Sequence, residues 1–378
     1  MTSPTVVVGG GPAGLAVAAM LGRGDVAYEL IEQADSVGAA WRTRYDSLHL
    51  HTIRWLSGLP GAPLPRAAGP WVPRDDLVAY LDDYADRFGV TPTLGTEVLR
   101  VDREPDGWRL ETTDGTRHAA RVVLATGYSN RPWIPDWPGR AAFTGRLLHS
   151  AGYREPSGFR GSRVLVVGAG NSAAEIAVEL STVADEVLLA VRTPPNIVPR
   201  DLHGIPSQLL GIVLRRVPEP LMNRLTRVLR RLTVPDLAAF GLPAPPGNGF
   251  TQFLRSRAVP ILDHGFVDAV RRGSIVVVPA VASLHEDEVH LVDGRVLHPD
   301  AVIAATGYRP GLEPLVGHLG VLDEHGAPLV HGPATLPQAP GLYFVGISIT
   351  LAGLLREIGR EAGAVAEAIV AEDAVPAR

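Results

Sequence analysis

The chain has 378 residues, 46% hydrophobic and 20% charged, so it can bury a substantial core in roughly two domains of ordinary size. Its formal net charge of -5 argues against nucleic acid as the main partner. The absence of cysteine excludes disulfides, thiolate nucleophiles, zinc knuckles and iron–sulfur clusters. No basic segment precedes the first apolar run, and no apolar stretch reaches the roughly twenty residues of a membrane-spanning helix, which predicts a soluble, cytoplasmic protein.

A strand, a glycine turn and an apolar helix open the chain. The apolar residues Val6–Val8 lead into the turn 9–14 (GGGPAG), which is followed by an apolar helical stretch. A second strand, Val26–Ile31, ends at Glu32, about twenty residues downstream of the turn, where a ribose hydroxyl needs an acceptor. The pattern predicts a dinucleotide-binding βαβ unit whose helix N-terminus faces a pyrophosphate.

The same arrangement recurs in the middle of the chain. Arg163–Val167 has the pattern of a strand, the turn 168–173 reads GAGNSA, and a helix through Leu180 precedes a further strand, Val187–Val191. Each copy is followed later by a near-identical strand and turn, which are 122–128 (VVLATGY) in the first half and 302–308 (VIAATGY) in the second. Two such halves predict two bound dinucleotides.

The residue that follows the second strand of each half distinguishes the two copies. The second copy has Arg192 where an NAD-selective site usually has an acid. A guanidinium suits a 2′-phosphate, so NADPH is favoured over NADH. The alternative is a solvated arginine at a strand end.

A proline-rich segment interrupts the second half, and we interpret it as a helical insertion at about 200–258. Between about 206 and 232 it has six arginines and a single acid, Glu219. We expect a solvated lid over an active site, because Pro218 and Pro220 should prevent one long amphipathic face. Contact with a membrane surface is the alternative.

A third motif lies just before the second dinucleotide unit. Residues 143–153 (FTGRLLHSAGY) have the form F-x-G-x-x-x-H-x-x-x-Y, a fingerprint of the class B flavin monooxygenases, whose flavin-containing branch ends it with tyrosine or phenylalanine. The chain resembles that family over nearly its whole length. Further stretches resemble the plant YUCCA branch, namely 41–51, 168–172, 260–263 and 305–309.

This resemblance implies an α/β fold of two nested Rossmann-like domains plus the helical insertion. An FAD domain is expected from 1–157 and 300–378, and an NADPH domain from 158–299. FAD and NADPH are thus the expected cofactors. The expected cofactor-binding residues are Gly9, Gly11, Pro12, Ala13, Gly14, Glu32, Gln33, Trp41, Arg42, His51, Val98, Ala125, Thr126, Gly127, Tyr153, Gly168, Gly170, Asn171, Ser172, Arg192, Thr306 and Gly307.

Two side chains are candidates for a catalytic role. His51 aligns with an asparagine that animal-type members place beside the reactive edge of the flavin, where a histidine would hydrogen-bond a flavin peroxide. The alternative is a buried histidine bonded to backbone. Asn171 either caps its helix or contacts the nicotinamide ribose or phosphate, as the family implies. His149 of the fingerprint is expected to have a structural role.

The implied reaction begins with hydride transfer from NADPH to FAD and continues through a flavin C4a-(hydro)peroxide formed with O2. One oxygen atom then reaches a small organic substrate, by N- or S-oxygenation, Baeyer–Villiger-type oxidation or oxidative decarboxylation of a 2-oxo acid. The lack of cysteine rules out the disulfide-reductase branch of the fold. Two alternatives stay open: an NADPH-dependent reductase that passes electrons to ferredoxin or a quinone, and a non-catalytic flavin redox sensor.

One departure from the YUCCA pattern concerns the substrate. YUCCA-like chains have a basic pair soon after the strand that corresponds to 343–346, whereas this chain continues with ISITL at 347–351. An apolar wall here puts a carboxylate-bearing substrate such as indole pyruvate in doubt.

Overall fold

The computed structural model describes residues 3–202, 204–214, 217–245, 259–350 and 352–374. Its strands are β1 (Thr5–Val8), β2 (Tyr28–Ile31), β3 (Val98–Glu104), β4 (Gly107–Thr112), β5 (Gly115–Ala119), β6 (Arg121–Leu124), β7 (Arg131–Pro132), β8 (Arg146–His149), β9 (Arg163–Val167), β10 (Glu186–Val191), β11 (Ile197–Pro199), β12 (Asp201–Leu202), β13 (Ile205–Pro206), β14 (Ile261–Asp263), β15 (Val276–Pro279), β16 (Val281–His285), β17 (Glu288–Leu291), β18 (Val296–Leu297), β19 (Ala301–Ala304), β20 (Tyr308–Arg309) and β21 (Leu342–Phe344).

Both α-helices and 3-10 helices connect these strands. The α-helices are α1 (Pro12–Arg23), α2 (Ala39–Arg42), α3 (Arg74–Phe88), α4 (Asn171–Leu180), α5 (Ser207–Leu214), α6 (Glu219–Thr233), α7 (Phe266–Arg271), α8 (Glu313–Val316) and α9 (Leu354–Asp373). Single turns of 3-10 helix occur at Arg54–Leu56, Arg66–Ala68, Arg140–Ala142, Ser150–Gly152, Ser157–Phe159, Ala238–Phe240 and Gly317–Leu319.

The chain divides into two compact units, which confirms the predicted α/β fold class with one unit inserted into the other. The first unit comprises 1–44, 48–131 and 308–378, and the second comprises 45–47 and 132–307. We expected divisions at 157/158 and 299/300, but they fall at 131/132 and 307/308. The physical reason is strand pairing, because β8 and β19 belong to the parallel sheet that contains β9.

The first unit is a parallel sheet with the strand order β2-β1-β6-β21. Side chains alternate between the two faces of a strand, so Val7 joins the core formed with α1, α3 and α9. Val6 and Val8 point to the opposite face, where Val101 and Leu110 of the β3–β4–β5 meander cover them.

The second unit repeats this plan with the parallel order β15-β10-β9-β19-β8. Leu165 and Val167 of β9 pack against Leu284 and Val289 of a second antiparallel meander, β16–β17–β18. The helix α4 packs against β9 and β10. Each sheet is thus buried on both faces, which explains the continuous apolar runs of its central strands.

Most predicted elements have the expected bounds, and one strand is shorter. β9 and α4 match their predictions, and α9 begins one residue after the expected Gly353. β2 begins at Tyr28 instead of Val26, because the Val26 N–H donates to the Leu21 carbonyl at 3.0 Å and thereby closes the turn after α1.

The expected interruption at the two prolines of the insertion is confirmed, because α5 ends at Leu214 and α6 begins only at Glu219. α6 is a continuous helix of 15 residues in which Pro218 is the N-cap and Pro220 lies in the first turn. A proline there removes only an N–H that has no partner within the helix, so it starts a helix instead of breaking it. Residues 246–258 of the predicted insertion lie outside the described residues. In the described part of the chain, no helix is long and apolar enough to cross a membrane.

Candidate functional site

The first glycine turn is a tight connection between β1 and α1. Gly9 has φ +110°, and its N–H donates to the Ile31 carbonyl at 2.8 Å. A Cβ on Gly9 would lie 2.8 Å from the Ala125 oxygen, and a Cβ on Gly14 would lie 1.8 Å from the Gly9 oxygen. Neither contact leaves room for a side chain, so these glycines set how closely the strand and the helix approach.

The N-terminus of α1 is open beyond this connection. Gly11 caps the helix with no side-chain hydrogen bond, and the first turn contains no acid. Pro12 and Ala13 are buried beneath it, whereas a Cβ on Gly11 would meet no protein atom within 4 Å. The positive end of the helix therefore faces a cradle that fits a pyrophosphate.

Glu32 lies beside the turn and is 9% exposed. Its Oε2 accepts a hydrogen bond from the Gly10 N–H at 2.5 Å, and its Oε1 accepts one from the Ala34 N–H at 2.8 Å. The carboxylate thus fixes the turn, a role that the sequence did not indicate. A carboxylate has about four acceptor positions, so Glu32 also suits a ribose hydroxyl.

The segment after β6 places a buried hydroxyl next to the turn. The Oγ1 of Thr126 is buried and has no hydrogen-bond partner in the described residues. The Thr126 Cα would lie 3.3 Å from a Cβ on Gly9, and Gly127 turns the chain away with φ +76°. Since buried polar atoms nearly always have a partner, this hydroxyl indicates a ligand contact at the first turn.

Other residues predicted for the first unit have partners within the protein. The Nη2 of Arg42 donates to the Asp82 Oδ1 at 2.5 Å, which fixes α2 to α3. Trp41 packs, partly buried, against the core. Gln33 is exposed, and Val98 is a buried core residue. Contacts of these four residues with a cofactor stay predictions.

His51 is half-buried in the irregular segment that follows the first unit's α2. The preceding residue, Leu50, is buried, and its N–H donates to the Val72 carbonyl at 2.8 Å. The backbone that carries His51 is therefore anchored to the core. Its catalytic role stays a prediction.

The second glycine turn repeats the geometry of the first. Gly168 has φ +147°, and its N–H donates to the Ala190 carbonyl at 3.0 Å. A Cβ on Gly168 would lie 2.3 Å from the Ala305 oxygen. Gly170 caps α4 with no side-chain hydrogen bond, and a Cβ there would meet no protein atom within 4 Å. This cradle also fits a pyrophosphate.

Asn171 does not cap its helix, because it is the first helical residue and Gly170 is the N-cap. The Asn171 Nδ2 donates to the Pro260 carbonyl at 3.2 Å, and its Oδ1 accepts from the Leu262 N–H at 2.8 Å. Both ends of the amide thus tie α4 to β14. Ser172, the next residue, is half-buried.

Arg192 follows β10 directly and is exposed. Its side chain makes no hydrogen bond or ion pair with the residues that the structure describes. The guanidinium is therefore available to a phosphate at the strand end, and recognition of a 2′-phosphate there stays a prediction.

The fingerprint at 143–153 is an architectural motif of the second unit. A Cβ on Gly145 would lie 2.6 Å from the Phe143 ring, so a side chain there would require that ring to move. The His149 Nδ1 accepts from the Ala151 N–H at 3.0 Å, and the His149 Nε2 donates to the Gly307 carbonyl at 2.9 Å. Both nitrogens hold backbone, which confirms the predicted structural role. The same turn is fixed by Thr306, whose Oγ1 donates to the Trp133 carbonyl at 2.5 Å.

Tyr153, the last residue of the fingerprint, is enclosed by protein and is 1% exposed. Its hydroxyl donates to the Glu179 Oε2 at 2.9 Å, and its ring packs against Tyr45 and Phe159. Burial raises the pKa of both the tyrosine and the glutamate. The ring and the hydroxyl of Tyr153 are both used inside the second unit, and its contact with a cofactor stays a prediction.

One half-buried carboxylate near the end of the chain was not identified from the sequence. The Glu361 Oε2 accepts from the Gly346 N–H at 2.8 Å, and its Oε1 accepts from the Ser348 hydroxyl at 3.2 Å. Burial raises the pKa of Glu361. The sequence did contain a signal for this residue, because Glu361 is an acid that lies between Ile358 and Val365 on the apolar face of the closing helix.

Comparisons with known proteins identify the family of the chain. The profile of the flavin-binding monooxygenase-like family matches residues 4–316. The chain is 33% identical to indole-3-pyruvate monooxygenase YUCCA1 of Oryza sativa subsp. japonica over 356 aligned residues. The alignment covers 93% of this chain and 87% of that protein. The solved flavin-containing monooxygenase from Stenotrophomonas maltophilia has a TM-score of 0.75 at 27% identity, with 99% and 100% of the two chains covered.

A bacillithiol disulfide reductase from Staphylococcus aureus also has this fold, with a TM-score of 0.71 at 18% identity and 98% of this chain covered. The fold alone therefore does not distinguish monooxygenases from reductases. The family profile and the plant relative do distinguish them, and they confirm the resemblance to flavin monooxygenases and to their YUCCA branch. The chain belongs to the flavin-binding monooxygenase-like family.

Proposed function

We propose that the protein is an FAD- and NADPH-dependent monooxygenase that transfers one oxygen atom of O2 to a small organic substrate. One observation carries the assignment of the cofactors. Two open glycine turns of the same geometry are followed by different residues at their strand ends, the buried acceptor Glu32 in the first unit and the exposed Arg192 in the second. These match a ribose hydroxyl and a 2′-phosphate, respectively.

The first unit would hold FAD at its glycine turn. The N–H groups of the first turn of α1 bind the pyrophosphate, and Glu32 accepts from a ribose hydroxyl. The Thr126 hydroxyl gains the hydrogen bond that the described residues do not supply. When bound, the flavin supplies the hydride acceptor and the centre that reacts with O2.

The second unit would hold NADPH at the N-terminus of α4. The Arg192 guanidinium binds the 2′-phosphate, and the turn at Gly170 binds the pyrophosphate. Asn171 would contribute by fixing β14 next to the helix N-terminus, which orients the cradle. His51 is the proposed hydrogen-bonding side chain at the reactive edge of the flavin.

The segment after β21 favours a substrate without a carboxylate. Ile347 is buried, and the Ser348 hydroxyl donates to Glu361. Residues 347–350 include no basic side chain that would pair with a carboxylate, and Leu351 lies outside the described residues. We therefore propose sulfides or ketones as better substrates than 2-oxo acids, although the plant relatives are named for indole-3-pyruvate.

Labelled oxygen tests the proposed reaction. The purified protein, loaded with FAD, is given NADPH and ¹⁸O2 with sulfides, ketones, amines and 2-oxo acids in turn. We expect substrate-dependent NADPH oxidation and a product that carries one labelled oxygen atom. NADPH oxidation with faster reduction of ferredoxin or a quinone, and no label in any product, would identify a reductase. A flavin that stays oxidised when mixed anaerobically with NADPH would identify a redox sensor.

A further inference from the structure

The helix α6 presents a stripe of apolar side chains to solvent. Leu221, Val228 and Leu232 are 58%, 48% and 79% exposed. Their spacing of seven and four residues places them on one face of the helix. Soluble surfaces rarely expose a continuous apolar stripe, so this face is expected to have a binding partner.

Arginines border this stripe along one side. Arg224, Arg227 and Arg231 are exposed, and Glu219 at the N-terminus is the only acid in the helix. An open depression beside the stripe is lined by Arg224 and Arg227 together with Asn223, Pro220 and the single acid, Glu219. The exposed face therefore combines apolar contact area with positive charge.

The same helix is anchored to the protein through its other face. Met222 and Asn223 are buried, and α6 contacts β11 of the second unit. Because these residues already fix the helix, its apolar stripe is not needed for folding of the described core. A lid that closes over a cavity would bury its apolar residues, whereas Leu232 is the most exposed large apolar side chain among the described residues.

We propose that α6 is a docking surface for a membrane that contains anionic lipids. Leu221, Val228 and Leu232 would enter the boundary between headgroups and acyl chains, and the arginines would contact lipid phosphates. Charge complementarity favours this partner over a second copy of the chain, since two such arginine borders repel each other. A helix of 15 residues is roughly 22 Å long, which suffices for an interfacial helix that lies flat.

Co-sedimentation of the full-length, FAD-loaded protein with vesicles tests the proposal. One vesicle preparation is phosphatidylcholine alone, and the other contains about a quarter phosphatidylglycerol, which supplies the anionic charge. We expect binding to the anionic vesicles, weak binding to the neutral ones, and release from the anionic vesicles as the salt concentration rises.

Matched variants locate the surface. Leu232→Asp should lower the partition coefficient on anionic vesicles about tenfold or more, because it removes a leucine that would enter the bilayer and adds a charge that the anionic lipids repel. Val292→Asp, at a side chain that is 64% exposed in the turn after β17, should change nothing. Arg227→Glu should also weaken binding about tenfold, whereas Arg160→Glu, at another exposed arginine of the second unit, should not.

Three outcomes would overturn the proposal. One is the absence of binding to anionic vesicles above the neutral preparation. Another is equal weakening by the α6 variants and their controls, which would indicate a diffuse charge effect. The third is a concentration-dependent dimer that Leu232→Asp dissolves while vesicle binding is absent, which would assign the stripe to a second copy. Unchanged circular dichroism of each variant shows that it folds, and none of these readouts depends on the proposed oxygenation.

Discussion

The two units solve the same structural problem with the same backbone contact. In the first, Gly9 packs against the Ala125 carbonyl, and in the second, Gly168 packs against the Ala305 carbonyl. Each contact joins a glycine turn to the Ala-Thr-Gly sequence that directly follows a strand of the same sheet. The repeated frame therefore depends on backbone packing and says little about which dinucleotide each unit holds.

The difference between the units lies in a few side chains around that frame. The third turn position is Gly14 in the first unit and Ala173 in the second, and the strand ends carry Glu32 and Arg192. Cofactor choice can thus change without changing the fold, because these residues differ while the backbone contact between turn and strand is the same in both units.

The largest expected effect comes from adding a methyl group at the third turn position of the first unit. Gly14→Ala would place a Cβ 1.8 Å from the Gly9 oxygen. The backbone fixes the positions of both atoms, so neither can move aside easily. We expect a destabilisation of about 3 kcal/mol or more and the loss of bound FAD. Thermal unfolding and the visible flavin absorbance per mole of protein measure both.

The reciprocal change in the second unit is the matched control. Ala173 is buried and already carries a Cβ in α4, so Ala173→Gly should cost only about 1 kcal/mol through the lower helix propensity of glycine. FAD content should stay at the wild-type level. If Gly14→Ala lost no more stability and no more FAD than Ala173→Gly, the difference in packing between the two turns would be refuted.

Removing the guanidinium at the second strand end should change cofactor preference. Arg192→Ala should lower kcat/KM for NADPH about 10- to 100-fold, since a hydrogen bond to a charged group contributes about 1.5–3 kcal/mol. The value for NADH should hardly change, because NADH has no 2′-phosphate. Arg160→Ala, at an exposed arginine elsewhere in the unit, controls for net charge. Equal losses with NADPH and NADH would refute the role of Arg192.

The strands and helices around the two glycine turns were predicted well from the sequence. β1, α1, β9 and α4 were found from apolar periodicity and glycine turns, because those signals lie within a few residues of each other. The structural role of His149 was also predicted, because no residue near it in the sequence offered an acid–base partner.

Side chains with distant partners could not be assigned in this way. Asn171 was expected to cap its helix or touch a cofactor, yet its partners are Pro260 and Leu262, about ninety residues away. Tyr153 was expected at a cofactor, but the segment that encloses it includes Tyr45 from the first part of the chain. Such contacts depend on tertiary packing, which local patterns do not specify.

The two Ala-Thr-Gly turns allow a smaller test. Thr306→Val removes the hydrogen bond to the Trp133 carbonyl and should destabilise the protein by about 1 kcal/mol. Thr126→Val removes no hydrogen bond that the described residues make, so stability without FAD should be unchanged. FAD affinity should fall about fivefold in Thr126→Val alone, as a fluorescence titration would measure. Unchanged affinity would mean that the Thr126 hydroxyl does not contact the cofactor.

The smallest expected effect is on the pH dependence of stability, and it compares one half-buried carboxylate from each unit. Burial raises the pKa of Glu361 in α9 and of Glu179 in α4 above the ordinary value. The folded state then binds a proton more tightly than the unfolded state, so this contribution to stability is full below the ordinary pKa and is lost as the pH rises through the raised folded value.

A glutamine at either position keeps the neutral form at every pH. Glu361→Gln and Glu179→Gln should therefore gain stability relative to the wild type as the pH rises through that window, by at most ~1 kcal/mol. Glu361→Gln retains an acceptor for the Gly346 N–H and gains a donor for Ser348. Chemical unfolding at several pH values measures the difference, with the exposed Glu367→Gln on the same helix as the control. A difference that does not vary with pH would show that these carboxylates titrate alike in the folded and unfolded states.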